Sequence, residues 1–352
     1  MELISNDRFD GLLAGRLKDP VFAKRPLLTM TLDFLHQKWN FPPQLAWSLI
    51  NIGCIGLIIH QLHVLGKNFA YTASRTWSGV IFLSSYPILF CATTQLFGFD
   101  DFLQWALLLS AFNAKLNGKM LLMAVLFGLS IICRETSLLM LPLFLYAASS
   151  QKIFDIPTIL ALGFAVIAAL IFIAQLGNND QAINFILERR FGAIRYNFSN
   201  LKQTVLSLVS LAQVFLPLIV LLTLRERNTS SERRSFLRLL VLTTALFTIV
   251  ATFTSLLKEN RILALPMLFF IPFMAEELKI IFRKKDQLFS NISTNQVVIL
   301  VLSICFLTVL CFFWYVPAVR KSAIIYQSYT FLMFLALLLI ARMKYSSPAT
   351  NA

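Results

Sequence analysis

The stretch FGFDDFLQWALLLSAFNAKLNGK, residues 97–119, runs through an apolar segment into CRETSLLMLPLFLY, residues 133–146, and its reading decides the fold. Two adjacent carboxylates, Asp100 and Asp101, open one apolar run. The pair Arg134-Glu135 separates two further runs, each too short to cross a bilayer unaided. From Lys119 to Cys133 there are 15 residues, about 22 Å of helix at about 1.5 Å each, against a hydrocarbon core of about 30 Å. The run from Thr136 to Ala148 is no longer. Arg134 and Glu135 are therefore expected below the membrane surface, at the floor of a cavity where charge and non-helical backbone are tolerated. Charge held at such depth is costly, which marks the place as a functional site.

Working outward, the composition sets the class. With 58% hydrophobic residues in 352, there is more apolar surface than a soluble core can hide. The apolar segments reach about 20 residues without in/out alternation, which suits helices and excludes barrel strands. The expectation is an all-α, polytopic membrane helical bundle of about eleven transmembrane helices, near 44–65, 76–96, 99–115, 119–133, 135–149, 155–176, 204–224, 236–257, 261–279, 295–315 and 325–342. It is read as one integral membrane unit, with residues 1–176 carrying the outer N-terminal segment and the motif-bearing helices. Residues 177–352 carry an outer basic loop and the C-terminal helices.

Cys54, Cys91, Cys133, Cys305 and Cys311 lie in apolar segments without CxxC spacing and read as small packing residues, so neither a disulfide framework nor a zinc site is expected. The formal charge is +14, but the cations gather at segment ends with no long basic block, which argues against nucleic acid and for membrane lipids or phosphate-bearing lipids as partners.

Orientation follows from the short loops. Arg225 and Arg227 with Arg233 and Arg234, Lys279 with Arg283 to Lys285, and the tail Arg342 and Lys344 fall on one side and mark the cytoplasm. Counting back places Asp100-Asp101, Arg134-Glu135, residues 177–202, Glu259, Arg261 and the N-terminal segment outside. Outer cations such as Arg8, Lys24, Arg25, Arg189 and Arg190 are then expected to meet phosphate. An outer N-terminus also calls for a further transmembrane helix upstream of Met1.

Five short motifs occur in order: Asp7-Arg-Phe-Asp10-Gly-Leu-Leu-Ala14, Pro20-Val-Phe-Ala-Lys24-Arg25-Pro26-Leu27, Asp100-Asp101, Arg134-Glu135-Thr136 and Glu259-Asn-Arg261. In this order the chain, from Asp7 to about Ala275, resembles the GT-C superfamily of membrane glycosyltransferases that use polyprenyl-phosphate-linked sugars, of the mannosyltransferase and aminoarabinose-transferase type. It departs from that pattern in lacking the first helix, in placing Asp10 where an aromatic residue is usual, and in its last two helices.

The resemblance implies a GT-C-like fold and an inverting glycosyltransferase of the bacterial inner membrane. Such an enzyme moves a sugar from a polyprenyl phosphate to a glycan, lipid or protein acceptor at the outer face, in service of the cell envelope. Asp7 would be the general base, with Asp10 as the alternative. Asp101 or Asp100 would orient the cations, the acceptor or a divalent metal. Lys24, Arg25, Arg134 and Arg261, with Glu135 and Glu259, would form the phosphate and substrate site.

Blander readings stand beside these. Asp100 or Asp101 suits a helix cap, Arg134-Glu135 a structural ion pair, Asp7 and Asp10 a solvated loop, and Glu259 and Arg261 interface anchors. Competing functions are a lipid-linked polysaccharide polymerase or ligase, an anionic-lipid transporter or flippase, and a non-catalytic GT-C-like scaffold subunit.

Overall fold

Asn117-Gly118 shows how closely the chain is folded by local chemistry. In the computed structural model helix α4 (Asp101–Leu116) stops there, with Gly118 at φ 72°. The Gly118 N–H bonds the Lys115 carbonyl and the Lys119 N–H the Ala114 carbonyl, each at 2.9 Å. These two bonds satisfy the last carbonyls of α4 and reverse the chain into α5 (Met120–Cys133). The structure describes residues 11, 25–72, 74–85, 100–146, 156–176, 192–201, 203–204, 207–208, 210–211, 214–215, 231–255 and 261–283. All regular structure among them is helical.

The other helices are α1 (Pro26–Trp39), α2 (Pro43–Asn68), α3 (Ser74–Ser84), α6 (Leu141–Phe144), α7 (Ile156–Leu176), α8 (Ser231–Thr254) and α9 (Arg261–Arg283). A 3₁₀ helix, Glu135–Met140, lies between α5 and α6. Prolines open α1, α2 and α6, where a missing N–H costs nothing. Helices expected near 44–65, 99–115, 119–133, 155–176, 236–257 and 261–279 are present with ends shifted by a few residues. α3 covers the start of the run expected at 76–96. The rest of that run, most of 204–224, and all of 295–315 and 325–342 lie outside the described residues.

The run expected as one helix over 135–149 differs. Six residues form the 3₁₀ helix, a single α-helical turn follows, and it ends at Leu145. Pro142 favours the break: inside a continuous α-helix its ring would strike the Leu138 carbonyl and withhold a donor from it, whereas at the start of a new turn neither matters, although α9 runs through Pro266 and Pro272. The 3₁₀ rise of about 2.0 Å per residue also stretches the segment, so ten residues cover roughly 18 Å. Its lower end is held by Lys115, a buried side chain whose ammonium donates to the carbonyls of Phe144 and Tyr146.

α4 packs mainly on α5 and α2, α5 on α7, and α9 on α3 and α8. An aromatic knot joins these elements. Phe144 meets Phe127 at 4.6 Å and Phe112 at 5.4 Å, Phe112 meets Phe269 at 5.4 Å, and Phe69 stacks on Phe236 at 4.3 Å. Residues from both sides of position 177 thus share one core.

The end of α2, the start of α8 and the end of α9 converge. Arg233 lies 4.9 Å over the Tyr71 ring and donates to the Ala70 carbonyl, and Lys279 donates to Thr72 at 2.6 Å. Asp101, Arg134 and Glu135 lie at the other ends of their helices. Along the bundle, polar side chains such as Gln104, Asn113, Ser130 and Thr244 are buried, while Leu49, Ile52, Leu160, Phe164, Ile171 and Leu246 are exposed. α2 and the Arg233–Thr254 part of α8 are long and apolar enough to cross a membrane.

Candidate functional site

The site is assembled from chain ends. Asp100 stands at the N-cap of α4 and Asp101 in its first turn. Asp100 makes no side-chain capping bond. Position alone favours carboxylates there, because the first N–H groups of the helix and its dipole offer positive charge. α5 ends against this point, and the Cys133 thiol reaches the Asp100 carbonyl at 3.5 Å.

Arg134 leaves the helix in extended conformation, φ −162° and ψ 124°, and its Nη1 pairs with Asp101 Oδ1. Both partners are almost wholly buried, Asp101 at 1% and Arg134 at 6% exposure. Such a pair offsets the desolvation of its charges only by close geometry, and losing one member is costly.

Glu135 starts the 3₁₀ helix and is gripped from 110 residues away by Arg25, the residue before α1. Arg25 Nε donates to Glu135 Oε2 at 2.9 Å and Nη2 to Oε1 at 2.7 Å, a two-pronged fork. The pair is partly accessible, with side-chain exposures of 13% and 26%. Burial works against the Arg25 charge, but Glu135, and then Asp100 and Asp101, more than offset it and raise its pKa. Arg25 therefore lies in the field of all three carboxylates, and the two ion pairs form one electrostatic cluster.

Gln104 ties the cluster together from one turn into α4. Its amide donates to Thr136 Oγ1 and Ser137 Oγ, both at 2.9 Å, and Ser137 donates to the Ser130 carbonyl at 2.9 Å. Sequence reading passed over Gln104, Ser130 and Ser137. Gln104 was within reach of it: three residues beyond Asp101 it shares that helical face, whereas a partner for the two hydroxyls is set by tertiary packing.

Of the residues expected to form the site, Arg25, Asp100, Asp101, Arg134 and Glu135 come together. Asp7, Asp10, Lys24 and Glu259 lie outside the described residues. Arg261 is the first residue of α9. Among the described residues no group of three or more His, Cys, Asp and Glu side chains is arranged to hold a metal ion. Chemically the cluster offers one partly accessible guanidinium group, Arg25, that can face an anion, and a partly accessible carboxylate, Glu135, that can accept a proton. Comparison of the chain with protein-family models, with curated proteins and with solved structures gives no match.

Proposed function

We propose that the chain is a polytopic integral membrane glycosyltransferase of GT-C-like architecture, with about eleven transmembrane helices, that moves a sugar from a polyprenyl phosphate to an acceptor at the outer face of a bacterial inner membrane. The observation that carries this reading is the meeting of Arg25, Asp101, Arg134 and Glu135, three separate stretches of sequence, at one end of the short helices α4 and α5. Membrane residence is supported by the exposed apolar faces of α2, α7 and α8 around buried polar side chains. It is supported also by the length of α2, 26 residues or about 39 Å.

The chemistry asks little of the protein. A lipid phosphate is a weakly basic leaving group, so the enzyme must take the proton from the acceptor hydroxyl and hold the phosphate charge. A carboxylate base contributes about 10²- to 10⁴-fold, and fixed guanidinium donors add charge-assisted hydrogen bonds to the phosphate. Asp7, or Asp10 in its place, is the proposed base. The buried Asp101–Arg134 pair fixes the junction of α4 and α5, and Arg25, Lys24 and Arg261 take the phosphate.

The test is transfer from a polyprenyl-phosphate sugar in proteoliposomes. Asp7→Asn is expected to abolish transfer while lipid binding and thermal stability stay near wild type. Full activity in both Asp7→Asn and Asp10→Asn removes the mechanism. One observation favours a second reading, a non-catalytic scaffold subunit of the same fold: Asp101 and Glu135 are each already engaged by an arginine. On that reading Asp101→Asn costs stability, and no variant of the cluster alters a transfer rate.

A further inference from the structure

We propose that Arg25 and Glu135 form an exchangeable ion pair: an arriving phosphoester takes the place of the Glu135 carboxylate on the Arg25 guanidinium, so Glu135 guards the empty site. This rests on the reading of the cluster as a phosphate site and concerns how that site is regulated.

Charge gives the first reason. Among its described members the cluster sets two guanidinium groups, Arg25 and Arg134, against three carboxylates, Asp100, Asp101 and Glu135. A phosphate approaching Arg25 finds the Glu135 carboxylate already on its fork, and gains that forked contact only as Glu135 withdraws.

Geometry says which carboxylate can withdraw. Asp101 is 1% exposed, begins α4 and is bound to an arginine itself 6% exposed. Its carboxylate is shielded from solvent, and the helix dipole favours its staying. Asp100 is 4% exposed. Glu135 differs on each count: its side chain is 26% exposed, its partner's 13%, and three side-chain torsions let its carboxylate swing outward. The flat Arg25 fork, bonded through Nε and Nη2, matches two phosphate oxygens as well as two carboxylate oxygens. Exchange thus swaps one forked, charge-assisted contact for another and releases Glu135 into water. Since the pair joins residues 110 apart, the swap also unties the residue preceding α1 from the junction of α5 and the 3₁₀ helix.

The shared ligand chemistry is a phosphate mono- or diester, on a polyprenyl chain, on a phospholipid or free. The test measures binding of a short-chain isoprenyl phosphate to the purified full chain in detergent by calorimetry, with inorganic phosphate and phosphatidylglycerol as competitors. Glu135→Gln should bind about tenfold tighter than wild type and Arg25→Gln about tenfold weaker, roughly the scale of one charge-assisted contact. Displacement by inorganic phosphate supports exchange at a free-phosphate site, and displacement by phosphatidylglycerol supports exchange at a headgroup site. Glu135→Asp, which keeps the charge on a shorter arm, should fall between wild type and Glu135→Gln and serves if Glu135→Gln does not fold. Binding by either Glu135 variant that equals or falls below wild type, while Arg25→Gln still weakens it, overturns the exchange and leaves the phosphate site standing. Failure of wild type and all variants to bind isoprenyl phosphate overturns both.

Discussion

Asp101 and Glu135 are both acidic and both paired with arginine, yet they differ in what their removal should do. Asp101 neutralises Arg134 out of reach of water, so Asp101→Ala breaks a buried pair and should cost about 3–5 kcal/mol. Thermal unfolding in detergent checks it, and a drop in Tm no larger than that of an exposed-residue control would contradict the buried pairing. Gln104 stands between these extremes. Gln104→Leu removes the donor to the half-buried Thr136 hydroxyl and to the buried Ser137 hydroxyl, which keeps its bond to Ser130; the loss of two bonds should cost about 1–3 kcal/mol, read in the same assay.

At this scale the sequence was legible for the charged residues and mute for their pairing. Charge that interrupts apolar runs is rare enough that Asp101, Arg134 and Glu135 announce themselves. Nothing in the spacing tells that Arg25 reaches Glu135, because 110 residues of intervening chain decide it.

Among the elements, the hairpin α4–α5 was foreseeable to within a residue or two, since apolar runs bounded by Asp100-Asp101, Asn117-Gly118 and Arg134-Glu135 leave few other endings. Its turn yields a clean test. Gly118 has φ 72° with open space where a side chain would begin. Gly118→Ala therefore meets only the conformational penalty, about 1–2 kcal/mol, measurable as a fall in Tm without change in oligomeric state. The 3₁₀ segment was not foreseeable as such, because apolar periodicity over six residues does not separate three residues per turn from 3.6. Pro142 was the available sign. Lys115→Met should loosen this segment by about 1.5–3 kcal/mol, the size of a hydrogen bond to a charged group, with Lys115→Arg restoring part of it. Hydrogen exchange at residues 143–146 is the readout, and unchanged protection in Lys115→Met would show that the carbonyls rely on other donors.

Across the molecule, the described helices bury polar side chains such as Gln104, Asn113 and Thr244 and expose many apolar ones. On α8 the hydroxyls of Thr243, Thr244, Thr248 and Thr252 each bond the carbonyl four residues earlier, at 2.7–2.8 Å, and so need no outside partner. α7 turns Leu160, Phe164 and Ile171 outward. In reconstituted vesicles, spin labels on Leu160→Cys, Phe164→Cys and Ile171→Cys should relax with lipid-dissolved oxygen and not with an aqueous nickel chelate; the reverse pattern would sink the membrane assignment. Composition made this inversion legible, since 58% hydrophobic residues cannot all be hidden, whereas which face each helix shows depends on neighbours far along the chain.

The grip of Lys115 on the carbonyls of Phe144 and Tyr146 has a consequence for biosynthesis. Residues 135–146 cover less than the thickness of a bilayer core. Their anchor is made earlier by the ribosome, on α4. The α4–α5 hairpin is therefore complete in the growing chain before the segment that packs against it is made.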